Sequence, residues 1–152
     1  MNEVVIPWGP VPTREQINAL ERELAVLPTR IKDIPTFHHF APGLYVREVL
    51  IPAGTVCTGK IHKTTHLCRL ESGEMTCWTE RGMVRIRGPF TWLSYPGAKR
   101  AVAAHSDCVM LTYHVTEETD LERLEAELIE PSDNLQGLDW GCQFAAIEGG
   151  PQ

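Results

Sequence analysis

Residues 59–75 read GKIHKTTHLCRLESGEM and carry two histidines, His62 and His66, shortly before a turn at Gly73. A helix would place histidines four residues apart on one face, but the β-branched side chains of this stretch disfavour a helix. In a straight strand four residues span about 13 Å, too far for two imidazoles to bind one ion at roughly 2 Å each. We therefore predict that residues 63–65 form a bend, so that the two rings face each other from consecutive strands.

The middle of the chain consists of short β-rich pieces separated by turn signals, with no helical pattern between them. Such punctuation is typical of an antiparallel sandwich or barrel. We predict an antiparallel double-sheet β-barrel over residues 37–115. The turn signals that divide its strands are Pro52-Ala53-Gly54, Glu71-Ser72-Gly73, Glu80-Arg81-Gly82, Arg87-Gly88-Pro89, Pro96-Gly97 and Ser106-Asp107.

A short helix is predicted on each side of the barrel. Thr13 followed by Gln16 has the pattern of a capping box, and apolar residues recur at helical spacing across residues 14–27. After the barrel, the segment 116–120 supplies acidic residues that favour a helix N-terminus. A stripe of leucines and one isoleucine follows it and stops before Pro131, which indicates the second helix.

Length and composition fit one domain, divided into an N-terminal arm and helix (1–36), the barrel (37–115) and a C-terminal helix and tail (116–152). A net charge of −6 lacks the basic footprint of a nucleic-acid-binding protein. No long apolar run marks a membrane span, and the N-terminus lacks the pattern of a signal peptide. Five cysteines without C-x-x-C spacing indicate reduced, buried side chains. We therefore predict a cytoplasmic protein with neither a nucleic-acid nor a membrane partner.

The histidine stretch resembles the first sequence motif of small cupins. In that motif a Gly leads to His-x-His, then to a Glu, and after six intervening residues to a closing Gly. If Gly73 is the closing glycine, His66 occupies the position of the family's Glu and His62 that of the second His. Lys60 then occupies the position of the first His.

The second cupin motif, Pro-x-Gly-x-x-His, is similar to residues 95–100, with Arg100 at the position of the family's His. Together the two motifs make residues 37–115 resemble a divergent single-domain cupin, similar to cupin-like proteins of bacteriophage and prophage genomes. The resemblance implies a jelly-roll barrel, with the metal ligands at one mouth. Two of the four usual ligand positions carry other residues, Lys60 and Arg100.

A third ligand is required, because two rarely suffice for a first-row metal. His114 ends a predicted strand on which it shares one face with Thr112 and Met110. Either face could point inward, and the polar pair Thr112 and His114 favours the inward direction for theirs. We select His114, and the alternatives are His105, His39 and Glu48.

A site of three histidines predicts a divalent transition metal such as Fe, Ni, Zn or Mn rather than Ca or Mg. The resemblance to cupins implies an enzyme of the dioxygenase, isomerase or lyase type that acts on a small polar molecule. The alternatives are a small-ligand binding module without catalysis, and a phage-related accessory or structural protein.

Three further residues complete the predicted site. Arg100 would place a cation beside the cavity, suited to a carboxylate or phosphate, and the alternative is a structural bridge to Glu48 or Glu71. On the first barrel strand Tyr45 and Arg47 share one face, and Glu48 lies on the other. We predict Glu48 or Tyr45 as the catalytic proton-transfer group, while Glu48 has the alternative of being an exposed acid near Arg47.

A homodimer is predicted from the edge strands of a small sandwich, which need cover. The terminal segments carry apolar residues that no predicted element uses, and packing across a two-fold axis would cover both features. The residues concerned are Val4, Val5, Ile6, Trp8, Trp140 and Phe144.

Overall fold

A computed structural model of the chain describes residues 11–80, 82–131 and 144–146. Its helices are α1 (Arg14–Val26) and α2 (Leu121–Leu128). Its strands are β1 (Arg30–Ile31), β2 (Thr36–Ala41), β3 (Leu44–Ile51), β4 (Thr55–Thr58), β5 (His66–Ser72), β6 (Glu74–Thr79), β7 (Gly82–Arg87), β8 (Phe90–Ser94), β9 (Arg100–Ala104), β10 (Cys108–Val115) and β11 (Phe144–Ala146). Among the described residues, no helix is long and apolar enough to cross a bilayer.

The strands form two antiparallel sheets that enclose a shared core. One sheet has the strand order β1-β11-β4-β9-β6-β7, and the other has the order β2-β3-β10-β5-β8. Every strand pairing in both sheets is antiparallel. The predicted double-sheet barrel with a helix before and after it is therefore confirmed.

The apolar core lies between the sheets. Leu70 of one sheet and Met75 of the other are both fully buried within it. The four cysteines in the described part of the chain are buried as well. Burial raises the pKa of the Cys68 and Cys108 thiols to about 11, so both are neutral and pack as small apolar side chains.

Gly73 makes the tight turn between β5 and β6. Its φ is 95°, and a Cβ at this position would lie 2.3 Å from the carbonyl oxygen of Asp107. Only glycine fits such a contact without moving the backbone. The turn carries the chain from β5 in the five-stranded sheet to β6 in the six-stranded sheet. It ends the strand that begins at His66, so the predicted turn residue helps to set where that histidine lies.

Helix α1 begins at the predicted capping box. The Thr13 hydroxyl accepts the backbone N–H of Gln16, and the Gln16 side chain accepts the backbone N–H of Thr13. Ile17 and Leu24 of the predicted stripe are buried. Glu21 is buried too, which the stripe did not predict, because its carboxylate pairs with Lys99 Nζ at 2.7 Å.

Helix α2 begins after its N-cap Asp120 and ends before Pro131, as predicted. Two backbone hydrogen bonds connect the end of this helix to the histidine stretch. The Lys63 N–H donates to the Leu128 carbonyl at 2.8 Å, and the Glu130 N–H donates to the Ile61 carbonyl at 2.9 Å. These hydrogen bonds hold the C-terminal end of α2 against the segment that carries His62.

Candidate metal centre

Three imidazoles lie close together in the barrel, beside one cavity. The ring centroids lie 4.2 Å apart for His62 and His66, 4.6 Å for His66 and His114, and 5.1 Å for His62 and His114. One possible ligand atom from each residue lies within 4.8 Å of the others. Among the described residues, this is the one group of three histidine, cysteine or acidic side chains placed closely enough to hold a metal ion.

Local structure explains this convergence. The chain bends after His62, as predicted, and enters β5 at His66. His62 itself lies in the connection between β4 and β5, where it bridges to Ile129, and not on a strand as we expected. On β10 the alternation turns Met110, Thr112 and His114 toward the cavity, which confirms the predicted grouping of that face.

Two hydrogen bonds orient the rings. His66 Nδ1 lies 3.2 Å from the Thr64 carbonyl oxygen, to which it donates, and His114 Nε2 lies 2.9 Å from Thr112 Oγ1. The second nitrogen of each ring, His66 Nε2 and His114 Nδ1, is buried and has no hydrogen-bond partner. This is the arrangement of a metal-binding histidine, in which one nitrogen is held by the protein and the other binds the ion.

The three imidazoles are held in their neutral form. Burial, together with smaller contributions from the neighbouring His66 and His114, lowers the pKa of His62 from 6.5 to about 2. Burial also lowers the pKa of His114 to about 4 and lowers that of His66. A metal requires the neutral imidazole, so these residues need not release a proton to bind one at neutral pH.

The donor set fits a transition metal. Ligand nitrogens at roughly 2.1 Å from a tetrahedral ion lie about 3.4 Å from each other. The three possible ligand atoms all lie within 4.8 Å of one another, so a small inward movement of the rings is sufficient. The three histidines, of which His66 and His114 are buried and His62 is partly buried, can therefore hold one ion. Nitrogen ligands suit Fe, Ni, Zn or Mn better than Ca or Mg.

A cavity of about 390 Å³ adjoins the three rings. Helix α2 lines one side of it, and strands of both sheets line the others. Most of its wall is apolar, and its ionisable lining residues other than the three ring ligands are His38, Tyr45, Arg47, Lys60, Cys68, Arg100, Glu125 and Cys57.

Arg100 lines this cavity from β9, as predicted. Its Nη2 donates to Ser94 Oγ at 2.7 Å. The alternative bridge to Glu48 or Glu71 is not what the structure shows, because those carboxylates pair elsewhere. Glu71 accepts from Arg69 Nε at 2.5 Å, and Glu48 pairs with a surface histidine.

Tyr45 lines the same cavity. It is buried, and its ring stacks on that of His114 at a centroid distance of 5.7 Å. Its hydroxyl lies 2.8 Å from His38 Nδ1. Burial raises the pKa of Tyr45, so the phenol keeps its proton at neutral pH.

The structure does not place Glu48, His39 or His105 beside the three candidate metal ligands. Glu48 lies on the face of β3 opposite Tyr45, and its Oε1 is 2.9 Å from His39 Nε2. His105 Nε2 is 2.6 Å from Thr76 Oγ1, outside the cavity lining. A strand alternates its faces, so Tyr45 and Glu48 cannot both reach one cavity.

Three cavity residues were missed as site residues. Arg47 has a clear sequence signal, because it shares the inward face of β3 with Tyr45. Lys60 and Glu125 pair at 2.5 Å, between the histidine stretch and α2. No local signal predicts that pair, because 65 residues separate its members.

Comparison with known proteins supports the fold. No family model matches the chain, and no curated protein matches it. Ectoine synthase from P. lautus is 17% identical, with a TM-score of 0.52 over 76% of this chain and 93% of that one. A salicylate 1,2-dioxygenase from Pseudaminobacter salicylatoxidans is 8% identical, with a TM-score of 0.50 over 73% and 33%. The fold is a cupin-like jelly roll.

A cupin superfamily protein from Desulfitobacterium hafniense is also similar, at 10% identity and a TM-score of 0.47 over 70% of this chain and 95% of that one. At these identities the likeness concerns the fold. The chemistry of the site has to be inferred from the residues of this chain.

Proposed function

We propose that this protein is a metal-dependent enzyme of cupin-like fold. One divalent transition ion binds to His62, His66 and His114, and a small polar molecule reacts in the adjoining cavity. The observation that carries the proposal is the pair of buried nitrogens, His66 Nε2 and His114 Nδ1, that lack a partner beside a third imidazole. An unpartnered buried polar atom costs free energy, and a bond to a metal would offset that cost.

Three protein ligands leave coordination positions open toward the cavity, which is the arrangement of catalytic rather than structural metal sites. An ion bound there supplies Lewis-acid or oxygen-activating chemistry. Around it the apolar wall limits access of water, and Arg100 offers guanidinium donors to a polar group of the bound molecule.

Tyr45 is the proton-transfer group that this geometry favours. Its phenol is protonated at neutral pH, so it acts as a hydrogen-bond donor or general acid rather than as a base. His38 Nδ1 is positioned to exchange a proton with the Tyr45 oxygen at 2.8 Å. Burial lowers the pKa of His38, which keeps that imidazole neutral and able to accept.

Metal titration tests the proposal. Metal-free protein is titrated with Fe(II), Ni(II), Zn(II) and Mn(II) by calorimetry, and one equivalent of at least one ion is expected to bind. His62→Ala and His114→Ala should each weaken that binding at least about tenfold. Removing a residue that only orients a metal ligand already lowers metal affinity by about that factor, and removing the ligand itself should cost no less. His39→Ala, a surface control, should bind as the unchanged protein does. Equal binding by all four proteins, or none by any, would refute the site.

A binding module without catalysis is the second candidate. It is favoured by the scarcity of acid–base groups in the cavity, where Glu125 is the one carboxylate among the described lining residues and is paired with Lys60. A ligand that the metal-loaded protein binds tightly but does not convert would favour this candidate. A phage-related accessory role and a cytoplasmic location stay predictions from the sequence.

A further inference from the structure

We propose that the cavity beside the three histidines binds a small organic carboxylate with an apolar body, held by Arg47 and Arg100. The inference deepens the proposed function by naming its ligand class, and it rests on that function for the part the metal plays. Anion binding by the two arginines requires no metal, so the two proposals can fail separately.

Arg47 enters the cavity from the five-stranded sheet. It lies on β3 between His38 and Thr112, its register partners on the adjacent strands, and all three line the cavity. Its side chain is partly buried. No carboxylate of the described residues lies within ion-pair distance of its guanidinium.

Arg100 enters from the opposite, six-stranded sheet. One of its nitrogens donates to Ser94 Oγ, and no described carboxylate pairs with it either. A guanidinium has five N–H donors in a rigid fork that matches a carboxylate. Both arginines therefore present hydrogen-bond donors and positive charge to one cavity, from two of its walls.

The charge of the cavity is opposite to that of the chain. The whole protein carries a net charge of −6. The described cavity lining has three cations, Arg47, Lys60 and Arg100, against the single carboxylate of Glu125, which Lys60 already engages. Two partly buried guanidinium charges without a counterion carry a desolvation cost, and a bound anion would offset it.

The shape and polarity of the remaining wall define the rest of the ligand. The volume of about 390 Å³ is much larger than a bare inorganic anion needs. Its wall beyond the charged groups is mostly apolar, with Val49, Val102, Met110 and Leu124 among the lining residues. A carboxylate with an apolar body satisfies both parts of this lining, whereas a phosphate ion leaves the apolar part in contact with water.

The test compares acids with their neutral amides by calorimetry, in low-chloride buffer because salt screens such binding. The probes are benzoate against benzamide, hexanoate against hexanamide, and inorganic phosphate. Metal-free and metal-loaded protein are both titrated. We expect at least one carboxylate to bind metal-free protein at least about tenfold more tightly than its amide, since hydrogen bonds between charged groups are stronger than those to a neutral amide.

Arginine variants complete the test. Arg47→Gln and Arg100→Gln should each weaken carboxylate binding about tenfold and leave amide binding unchanged. Arg87→Gln, an exposed arginine on β7, is the control and should change neither. Arg47→Lys keeps the positive charge but loses the bidentate geometry of the guanidinium, so it should bind carboxylates with intermediate affinity. This variant tests the site if Arg47→Gln does not fold.

Several results would overturn the inference. They are equal affinity for acid and amide, carboxylate binding that survives both Gln substitutions, tighter binding of phosphate than of either carboxylate, or no carboxylate binding by either form. Carboxylate binding to metal-free protein that takes up no metal would instead uphold the anion site and refute the proposed metal function.

Discussion

At the scale of single residues, burial decides the protonation of the histidine cluster. The folded protein keeps His62 and His114 neutral down to pH values of about 2 and about 4, whereas an exposed histidine takes up a proton near pH 6.5. The unpartnered nitrogens, His66 Nε2 and His114 Nδ1, therefore carry a free lone pair at physiological pH, which a metal ion can bind. The same burial makes the metal-free protein sensitive to acid.

We predict that metal-free protein loses stability as the pH falls from about 6.5 toward about 4. The pKa of each histidine is lower in the folded than in the unfolded chain, so in this range the unfolded chain binds more protons. Each such histidine contributes at most about 1.4 kcal/mol per pH unit. Denaturant unfolding at about pH 7 and about pH 5.5 measures the loss, above the range in which most carboxylates titrate.

Removal of one histidine provides the control. His114→Gln should reduce the difference in unfolding free energy between the two pH values, and His105→Gln, outside the cavity, should leave more of it intact. A stability of the metal-free protein that does not change between the two pH values would contradict the neutral, buried cluster.

The sequence predicted these residues unevenly, for a physical reason. His62 and His66 are four residues apart, so a local bend is enough to bring them together. Strand alternation grouped Met110, Thr112 and His114 on one face of β10, but only the assembled barrel shows that this face points inward. Glu48 was placed by its acid chemistry, against the alternation that puts Tyr45 inside.

At the scale of elements, α1 is attached to the barrel by a buried ion pair. Glu21 of α1 and Lys99 are 0% and 1% exposed, and Thr58 Oγ1 also donates to the Glu21 carboxylate at 2.6 Å. The capping box of α1 was predictable from residues three apart. The ion pair was not, because 78 residues separate its members and the helix pattern alone gives Glu21 no partner.

Lys99→Met is predicted to destabilise the protein by about 3–5 kcal/mol, because it leaves the Glu21 carboxylate buried without its cation. The double variant with Glu21→Leu should recover a large part of that loss, since it removes the uncompensated charge. Denaturant unfolding of the three proteins measures both effects. A loss below about 1 kcal/mol in the single variant, as for a surface pair, would contradict the burial of this pair.

At the scale of the whole molecule, the outer face of the five-stranded sheet carries exposed apolar side chains. Leu67 and Leu93 are register partners and are 45% and 46% exposed, and Tyr113 pairs with Leu67 on the next strand. The terminal residues on which the dimer prediction was based, Val4 to Trp8 and Trp140, lie outside the described residues, as does the side chain of Phe144. We propose this sheet face as the surface that a second copy of the chain covers.

A dimeric mass is therefore predicted in light scattering at micromolar concentration. The double variant Leu67→Lys/Leu93→Lys should be monomeric, because charges on a buried interface oppose association. Val26→Lys, at an apolar position that is 77% exposed on α1, should stay dimeric. A monomeric unchanged protein, or a dimer in the double variant, would contradict the proposal.

The location of a bound metal tests the central proposal most directly. Crystals of metal-loaded protein are measured at the absorption edge of the ion that binds in solution, and an anomalous difference map locates it. We predict one peak within about 2.2 Å of a ring nitrogen of each of His62, His66 and His114. A peak at any other site, or one more than about 3 Å from two of the three rings, would contradict it.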